Sequence, residues 1–303
     1  MIRIGTRESE LAIWQAMQVK IGLQNLGCEA ELVPLKSEGD ADQVTPLYAW
    51  GVQGIFTRTL DAALLADRVD IAVHSMKDVP VVLAQGLIQA AVLERGPWQE
   101  VLVPGRGLGF LENHSENAIV ATSSLRRKAQ WIRRYPHHHV VPLRGNIGTR
   151  LQKIGENGWH GAIFAKAGLT RIDLLPPEAI ELEWMLPAPA QGAIMVVCRE
   201  VDAAILAACS SLNHASTALS VKIERDFLHS LKGGCTAPVS ALALVTERYL
   251  HFRGQVLSTT GEACIEVAES VELEAAENLG QQMAEICIAK GADEILAQIR
   301  KKS

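Results

Sequence analysis

The stretch AIVATSSLRRKAQWIRRY, residues 118–135, places a short apolar run before a hydroxyl-rich turn and a helical pattern. The same order occurs at the start of the chain, where Ile2–Gly5 predicts a strand and Ser9 is placed to cap a helix. That helix carries apolar side chains at three- and four-residue spacings, at Leu11, Trp14, Met17 and Ile21. Because strand, turn and helix recur in this order, the sequence predicts α/β units.

Working outward from these two stretches, the alternation continues through the first two thirds of the chain. Further strands are predicted at Glu31–Leu35, Asp70–Val73, His139–Leu143, Gly161–Ala165 and Ala193–Cys198, and helices over Phe56–Leu65, from Thr149, and between Cys198 and Leu231. After that point the pattern changes: strands at Val239–Val245, Tyr249–Ser258 and Cys264–Val271 precede helices at about Glu274–Lys290 and Asp293–Ile299. Strands followed by helices indicate a separate α+β domain.

The bulk composition is that of a folded multidomain protein. The chain has 303 residues, of which 48% are hydrophobic and 21% are charged. Because it begins directly with a predicted strand and has no apolar segment of about 18 residues, we expect a cytoplasmic protein without a membrane partner. Its six cysteines are far apart and form no Cys-x-x-Cys pair, which argues against a zinc knuckle or a dithiol redox site.

The positive charge is concentrated in one segment. Residues 117–155 contain eight Lys and Arg residues and no Asp or Glu, although the whole chain carries a net charge of −5. A basic segment inside an acidic protein favours a local anion site over general polyanion binding. The two hydroxyl-rich turns add helix N-termini that could hold carboxylates, although ordinary N-caps would give the same pattern.

Several motifs occur in order along nearly the whole chain. They are GTRES at 5–9 with LA at 11–12, GD at 39–40, TPL at 45–47, HSMKDVP at 74–80, TSSLRR at 122–127, LRGN at 143–146, GTR at 148–150, AGL at 167–169, QGA at 191–193 and GGC at 233–235. In these motifs the chain resembles the porphobilinogen deaminase family.

The resemblance implies a three-domain α/β fold. Two α/β domains resemble the lobes of type II periplasmic binding proteins and flank the active cleft, and a C-terminal α+β domain carries the cofactor cysteine. We expect the first domain to comprise residues 1–93 and 187–210, the second, arginine-rich domain residues 94–186, and the third residues 211–303.

The resemblance also implies a transferase activity, that of hydroxymethylbilane synthase. Four porphobilinogen units would lose ammonia and condense onto a covalent dipyrromethane primer before hydrolysis releases linear hydroxymethylbilane. Such chemistry needs a carboxylate near the pyrrole N–H. The matching residue is Asp78, with Lys77 as its companion; position alone would favour a solvated loop aspartate, and the surrounding HSMKDVP motif favours the catalytic role instead.

Guanidinium groups suit the acetate and propionate side chains of the pyrroles. The resemblance assigns cofactor binding to Cys235, through a thioether, and to Ser124, Arg126, Arg127, Lys77, Asp78, Arg144 and Gly145. It assigns substrate binding to Arg7, Ser9, Thr122, Arg144, Arg150, Arg171 and Gln191. Without the motif, Cys235 would equally fit a small buried apolar residue. Arg133 and Arg134 are expected on an exposed helix face.

We expect no metal site and no nucleic-acid partner. At most two of His137, His138 and His139 can share one face of a strand, and no carboxylate is near them in sequence. The basic residues are spread over successive loops with few aromatic residues among them. The expected partner is the small molecule porphobilinogen, and the resemblance implies a monomer that could pass its product to uroporphyrinogen III synthase.

Some positions depart from the family pattern. Ala49 and Gln53 stand where the family usually has lysines, Thr59 where glutamate is common, Gln99 where arginine is common, and Thr236 where glutamine is expected. Because the central acid, the main arginines and the cysteine are retained, we predict an active enzyme with a changed loop over the cleft. The alternative is a divergent member that binds polycarboxylates without catalysis.

Overall fold

The computed structural model describes residues 1–36, 57–113, 117–233 and 237–300. The elements of the first two thirds are β1 (Ile2–Arg7), α1 (Glu10–Asn25), β2 (Ala30–Leu35), α2 (Arg58–Leu65), β3 (Ile71–Ser75), β4 (Leu87–Val92), β5 (Glu100–Pro104), β6 (Ile119–Ala121), α3 (Leu125–Arg134), β7 (His139–Val141), α4 (Ile147–Glu156), β8 (Gly161–Ala165), α5 (Lys166–Arg171) and β9 (Ile180–Glu181). The remaining elements are β10 (Ile194–Arg199), α6 (Ala203–Ser210), α7 (Ala215–Ser230), β11 (Val239–Thr246), β12 (Tyr249–Leu257), β13 (Cys264–Glu272), α8 (Leu279–Ala289) and α9 (Ala292–Arg300).

Two five-stranded sheets have the same internal order. The first sheet runs β2-β1-β3-β10-β4 and the second β7-β6-β8-β5-β9. In each sheet the first three strands are parallel, and the fourth strand is antiparallel to the third. That fourth strand directly follows a chain crossover between the sheets, since β5 comes after β4 and β10 comes after β9. The two predicted α/β units of the type II periplasmic-binding-protein class are confirmed.

Strands β4, β5 and β9 are absent from the sequence-based prediction. The β4 segment, LIQAAV, contains two alanines and no alternation of polar and apolar residues, so its local pattern does not distinguish a strand from a helix. These three strands owe their conformation to neighbours that are distant in sequence, because β4 and β5 each pair antiparallel with a strand at least 57 residues away along the chain.

Helix α1 buries a different face from the one that its larger apolar residues suggested. The buried side chains include Ala12, Ala16 and Val19, whereas Met17 and Ile21 are 37% and 45% exposed. Small alanines allow the helix to approach the sheet closely, and apolar residues on both faces made the periodicity ambiguous. The cap prediction is confirmed, since the Ser9 hydroxyl accepts a hydrogen bond from the Ala12 amide at 3.4 Å.

Two other helices begin at positions different from those predicted. Helix α4 starts at Ile147 rather than Thr149, because the Asn146 side chain caps it by accepting from the Thr149 amide at 2.8 Å. Helix α8 starts at Leu279, and the segment Leu273–Ala275 before it forms a short 3₁₀ turn.

The C-terminal part is an antiparallel meander, β11-β12-β13, covered by α7, α8 and α9. Its core includes Phe227 and Phe252, whose rings meet edge to face with centroids 5.2 Å apart. Gly254 lies under this pair, and a Cβ there would approach the Phe227 ring to 2.7 Å. The predicted separate α+β unit is therefore observed.

Candidate active site

Asp78 lies just beyond the carboxyl end of β3. The strand is buried at Ile71, Ala72 and Val73, and a 3₁₀ turn at Met76–Asp78 follows it directly. Arg7 ends β1, which runs parallel to β3 in the same sheet. Parallel neighbours end at the same edge of a sheet, so Arg7 and Asp78 belong to one cluster of strand ends, where ligands of α/β proteins bind.

The second sheet contributes a hydroxyl-rich turn after β6. The Ser124 hydroxyl caps α3 by accepting from the Arg127 amide at 3.4 Å, and the Thr122 hydroxyl accepts from the Ser124 amide at 3.2 Å. The Ser123 hydroxyl donates to the Leu143 carbonyl at 2.8 Å. These hydrogen bonds fix the conformation of the turn beside the loop that follows β7.

Arg144 and Arg150 lie in the next loop of the second sheet. The Arg150 Nε donates to the Gly145 carbonyl at 2.7 Å, and the Lys153 ammonium donates to the Arg144 carbonyl at 3.0 Å. Gly145 has a φ of +115°, which a residue with a Cβ rarely adopts. The glycine therefore permits the tight turn that Arg150 closes.

Charges from both sheets meet around Arg150. The pKa of Arg150 is lowered to about 10, chiefly by desolvation and also by the nearby guanidinium groups of Arg127, Arg144 and Arg7, whereas Asp78 acts in the opposite direction. Arg7 and Asp78 belong to the first sheet, whereas the other three arginines belong to the second. Four predicted arginines and the predicted catalytic acid therefore share one electrostatic environment between the two lobes.

Lys77 is held toward the same region. Its ammonium donates to the Gln191 Oε1 at 3.1 Å, and the Gln191 amide donates to the Trp98 carbonyl at 2.9 Å. The pKa of Lys77 is lowered to about 8, chiefly by desolvation and also by Arg127 and Arg126, whereas Asp78 and Glu100 act in the opposite direction. This lysine therefore exchanges its proton near neutral pH.

Glu100 is a buried charged residue at this site that the sequence reasoning did not identify. It is fully buried and forms ion pairs with Arg126 and with Arg127, the latter at 2.8 Å between Oε2 and Nη2. A charge run alone did not reveal it, because the carboxylate that pairs with these arginines lies 26 residues from Arg126 in the sequence. The assignment of both arginines to the cofactor stays a prediction.

Arg171 and Gln191 lie at the crossovers between the lobes. The Arg171 Nη2 donates to the Gly192 carbonyl at 2.6 Å, which also accepts from the Gly96 amide at 3.0 Å. The Arg171 guanidinium stacks 5.4 Å from the Trp14 ring centroid, and desolvation lowers its pKa to about 10. Its contacts join α5 to the crossover and to α1, and its role in substrate binding stays a prediction.

Helix α7 supports the Asp78 turn through hydrogen bonds to its backbone. The Arg225 guanidinium donates to the carbonyls of Met76, Val79, Pro80 and Val81 at 2.7–3.3 Å. The neighbouring Glu224 is fully buried and accepts from Arg95 and from the amides of Ala190 and Ala243. No local pattern identified these two residues, because their partners lie 19–149 residues away.

Of the three neighbouring histidines, His138 belongs to an aromatic cluster, whereas His137 and His139 are exposed. His138 is buried and stacks on Tyr135, with ring centroids 4.8 Å apart. Arg133 and Arg134 are exposed, as predicted; Arg133 donates to the Gly261 and Glu262 carbonyls and Arg134 lies over the Trp184 ring. Within the described ranges, no group of three or more His, Cys, Asp and Glu side chains could hold a metal ion.

Four positions singled out in the sequence, Ala49, Gln53, Cys235 and Thr236, lie outside the described residues. Thr59 is half-buried in α2, and Gln99 is half-buried beside β5. In the part of the chain that the structure describes, no helix is long and apolar enough to span a bilayer.

Two α/β lobes whose parallel strands end around one carboxylate and several desolvated cations define an enzyme that acts on a polyanionic small molecule. A family model described as "Porphobilinogen deaminase, dipyromethane cofactor binding domain" matches residues 2–207, and one described as "Porphobilinogen deaminase, C-terminal domain" matches residues 218–288. The chain belongs to the porphobilinogen deaminase family. It is a transferase with hydroxymethylbilane synthase activity and a dipyrromethane cofactor.

Two relatives align over nearly the full length. A porphobilinogen deaminase of Syntrophotalea carbinolica is 40% identical over 98% of this chain and 96% of its own length, and one of Moorella thermoacetica is 39% identical over 100% and 97%. Among solved structures, a periplasmic substrate-binding protein of an ABC transporter from Coxiella burnetii is 14% identical, with a TM-score of 0.43, over 74% of this chain and 97% of that one. That structural likeness is weak, and the fold is defined here by the strand order.

The residues in the cleft fit an oligopyrrole with acetate and propionate side chains. Lys77, Arg144 and Arg150 supply cationic donors, and Asp78 supplies an acceptor suited to pyrrole N–H groups. The buried Nε of Arg127 has no hydrogen-bond partner among the described residues. A buried donor of this kind is expected to have a partner in the working protein, and a carboxylate of the cofactor would supply it.

Proposed function

We propose that Asp78 and Lys77 are the catalytic residues with which this chain converts porphobilinogen to hydroxymethylbilane. The observation that carries the proposal is the convergence of Asp78 with Arg7, Arg127, Arg144 and Arg150 around a single cleft. Polyanionic pyrroles need that excess of positive charge, and the reaction needs one carboxylate within it.

Asp78 would act where positive charge develops. Loss of ammonia from porphobilinogen leaves an electron-deficient methylene conjugated with the pyrrole, and the charge spreads to the ring N–H. A carboxylate that accepts a hydrogen bond from that N–H stabilises the charge, and it can hold the proton released when the new carbon–carbon bond has formed. Lys77, next to Asp78 on the same turn, would pair with a substrate carboxylate. Its positive charge would also influence the protonation of Asp78.

The cofactor-binding set is Cys235, Ser124, Arg126, Arg127, Lys77, Asp78, Arg144 and Gly145. When bound, dipyrromethane supplies the primer to which the first pyrrole unit is joined. Cys235 would hold it through a thioether, because a thiolate is a soft nucleophile that captures an electrophilic methylene. The guanidinium groups would hold its carboxylates with paired N–H donors.

The substrate-binding set is Arg7, Ser9, Thr122, Arg144, Arg150, Arg171 and Gln191. Arg7 and Arg150 approach the cleft from opposite lobes, so a carboxylate-bearing substrate between them would draw the lobes together. The hydroxyls of Ser9 and Thr122 lie at the two turns that precede α1 and α3.

Family membership also supports a proposal for the localisation, oligomeric state, domain organisation and partners of the enzyme. The enzyme would be a cytoplasmic monomer of three domains, residues 1–93 with 187–210, 94–186 and 211–303, with porphobilinogen as its partner and no nucleic acid. Its unstable linear product would be handed to a uroporphyrinogen III synthase.

Two measurements test the proposal. The intact mass of the purified chain should exceed the sequence mass by two pyrrole units, and Cys235→Ser should remove the excess. Incubation with porphobilinogen, followed by acid and light, should give uroporphyrin. Asp78→Ala should lower its formation about 10²–10⁴-fold, the usual contribution of an acid–base group, while Asp173→Ala on the surface should not. Normal turnover by Asp78→Ala would refute the catalytic assignment, and an unmodified wild-type chain would favour a binding protein without catalysis.

A further inference from the structure

Glu100 starts β5, immediately after the chain crosses from the first lobe to the second. None of its surface is exposed, and both of its carboxylate oxygens face arginines: Oε1 pairs with Arg126 and Oε2 lies 2.8 Å from the Arg127 Nη2. Burial of an unpaired carboxylate is strongly unfavourable, so the two ion pairs account for its charged state. They hold the pKa of Glu100 down, at about 2, against the desolvation that would raise it.

Each arginine has a second fixed contact. The Arg126 Nη1 donates to the Leu186 carbonyl at 2.7 Å, and the Arg127 Nη1 donates to the Ile163 carbonyl at 3.0 Å. A planar guanidinium held at two nitrogens has no remaining freedom to rotate. The orientation of both side chains is therefore set by Glu100 together with backbone carbonyls of the return crossover and of β8.

Glu100 also acts on Lys77. The charged groups that face the Lys77 amine are Arg126 and Arg127 on α3, Glu100 on β5 and Asp78 on its own turn. Two of these are positive and disfavour the ammonium form, and two are negative and favour it. Without Glu100, the positive charges of Arg126 and Arg127 would be opposed by Asp78 alone among these four groups.

From this geometry we infer that Glu100 is a positioning residue for the reaction: it fixes the guanidinium planes of Arg126 and Arg127, and its negative charge balances theirs beside Lys77 and Asp78. The inference deepens the proposed function and rests on it, since Asp78 and Lys77 are the catalytic residues assumed there. Glu100 acts through its three cationic neighbours.

The test compares Glu100→Gln, which removes the charge, with Glu100→Asp, which keeps the charge and shortens the side chain. A matched control is Glu181→Gln on the adjacent strand β9, which removes a carboxylate paired with Lys166 at the surface. The titration midpoint of Lys77 is measured on each full-length protein by competitive acetylation at a series of pH values, with mass spectrometry of the peptide. The kcat for hydroxymethylbilane formation is expressed per chain that carries dipyrromethane.

For Glu100→Gln we expect the Lys77 midpoint to fall by at least about half a pH unit and kcat per loaded chain to fall at least about tenfold. For Glu100→Asp we expect a midpoint within about 0.2 pH units of the wild type, because the charge remains, but a lower kcat, because one carboxylate no longer reaches both arginines. Glu181→Gln should match the wild type in both measurements.

An unchanged Lys77 midpoint in Glu100→Gln would overturn the electrostatic part of the inference. A wild-type kcat in Glu100→Asp would overturn the positioning part, and this variant decides the matter if thermal melts show that Glu100→Gln does not fold. Failure of the proposed function is a separate result: the wild-type protein would then make no hydroxymethylbilane, while the Lys77 midpoints would still report on Glu100.

Discussion

Asp78 is placed by the backbone around it more than by contacts of its own side chain. It follows a buried strand, and the carbonyls on both sides of it are held by Arg225. At the scale of single residues, the chemistry of the site comes from burial: desolvation is the largest influence on the pKa of Lys77, of Arg150 and of His74. Such groups are sensitive to pH in ranges where exposed side chains of the same type are not.

Lys77 should set the alkaline side of the activity profile. Since its pKa is lowered to about 8, its ammonium loses a proton as the pH rises through that value, and kcat/KM should fall there. Lys77→Arg keeps a charge that does not titrate in this range, so the alkaline decline should move up by more than about one pH unit. Lys166→Arg serves as the control, and an unmoved alkaline limb in Lys77→Arg would contradict the assignment.

His74 should make the fold sensitive to acid. Burial lowers its pKa to about 4, from 6.5 in the unfolded chain, so between those values the unfolded chain binds the extra proton. Stability from the neutral imidazole is complete above pH 6.5 and is lost as the pH falls toward 4. At pH 5 the loss should be about 2 kcal/mol relative to pH 7.

Urea unfolding of the wild type and of His74→Gln at both pH values measures this loss. The variant should lack that part of the pH dependence, whereas His229→Gln, at an exposed position, should keep it. Parallel pH dependences for the wild type and His74→Gln would show that the imidazole does not titrate as described.

At the scale of elements, helix α7 supports the turn that carries Asp78. It supplies Arg225 to the Asp78 turn and Glu224 to Arg95 and to the first strand of the C-terminal sheet. The same helix packs Phe227 into the core of that sheet. The helix that packs on the C-terminal sheet therefore also supports the turn that carries Asp78, the proposed catalytic acid.

Arg225→Lys keeps the positive charge of this side chain but removes its planar set of N–H donors. An ammonium cannot donate to four carbonyls arranged around a planar fork, so buried carbonyls would be left without a donor. We expect the free energy of unfolding to fall by about 2–4 kcal/mol. We also expect kcat to change by a larger factor than KM, because Asp78 loses its fixed position while the arginines remain.

Thermal melts and steady-state kinetics test this prediction. Lys222→Gln on the same helix removes an exposed pair with Asp226 and should change stability by less than about 0.5 kcal/mol. An Arg225→Lys variant as stable and active as the wild type would show that α7 does not support the turn.

At the scale of the whole molecule, two crossovers join the lobes, and they approach each other closely at Gly192. Gly192 has a φ of +87°, and a Cβ there would lie 2.7 Å from the Gly96 carbonyl oxygen and 2.8 Å from that of Pro97. The carbonyl of Gly192 is also the acceptor that joins Gly96 of the other crossover to Arg171. The relative position of the lobes therefore depends on a contact that only glycine allows.

Gly192→Ala should push the crossovers apart. The positive φ and the backbone clash together should destabilise the fold by about 2 kcal/mol or more. Gly109→Ala, where a Cβ would meet nothing within 4 Å, should leave stability within about 0.5 kcal/mol. Thermal unfolding compares the two, and equal melting temperatures would mean that the crossovers adapt to a side chain at this position.

Local sequence determined much of this molecule. The apolar runs predicted β1, β2, β3, β6, β8 and β10, Ser9 and Ser124 predicted the caps of α1 and α3, and the ordered motifs identified the family and its reaction. Each of these signals is contained in a few consecutive residues, because strand and helix periodicities and caps arise from short-range backbone and burial preferences.

Only the tertiary structure decided which charges are paired. Glu100 lies 26 residues from Arg126, Glu224 lies 129 from Arg95, and Arg225 lies 149 from Met76. The antiparallel direction of the fourth strand of each lobe likewise follows from a crossover and has no signal in the residues of the strand itself. Partners so distant in the chain meet only when the sheets and α7 have packed, and burial then makes each pairing obligatory, because an unpaired charge in the interior is too unfavourable to persist.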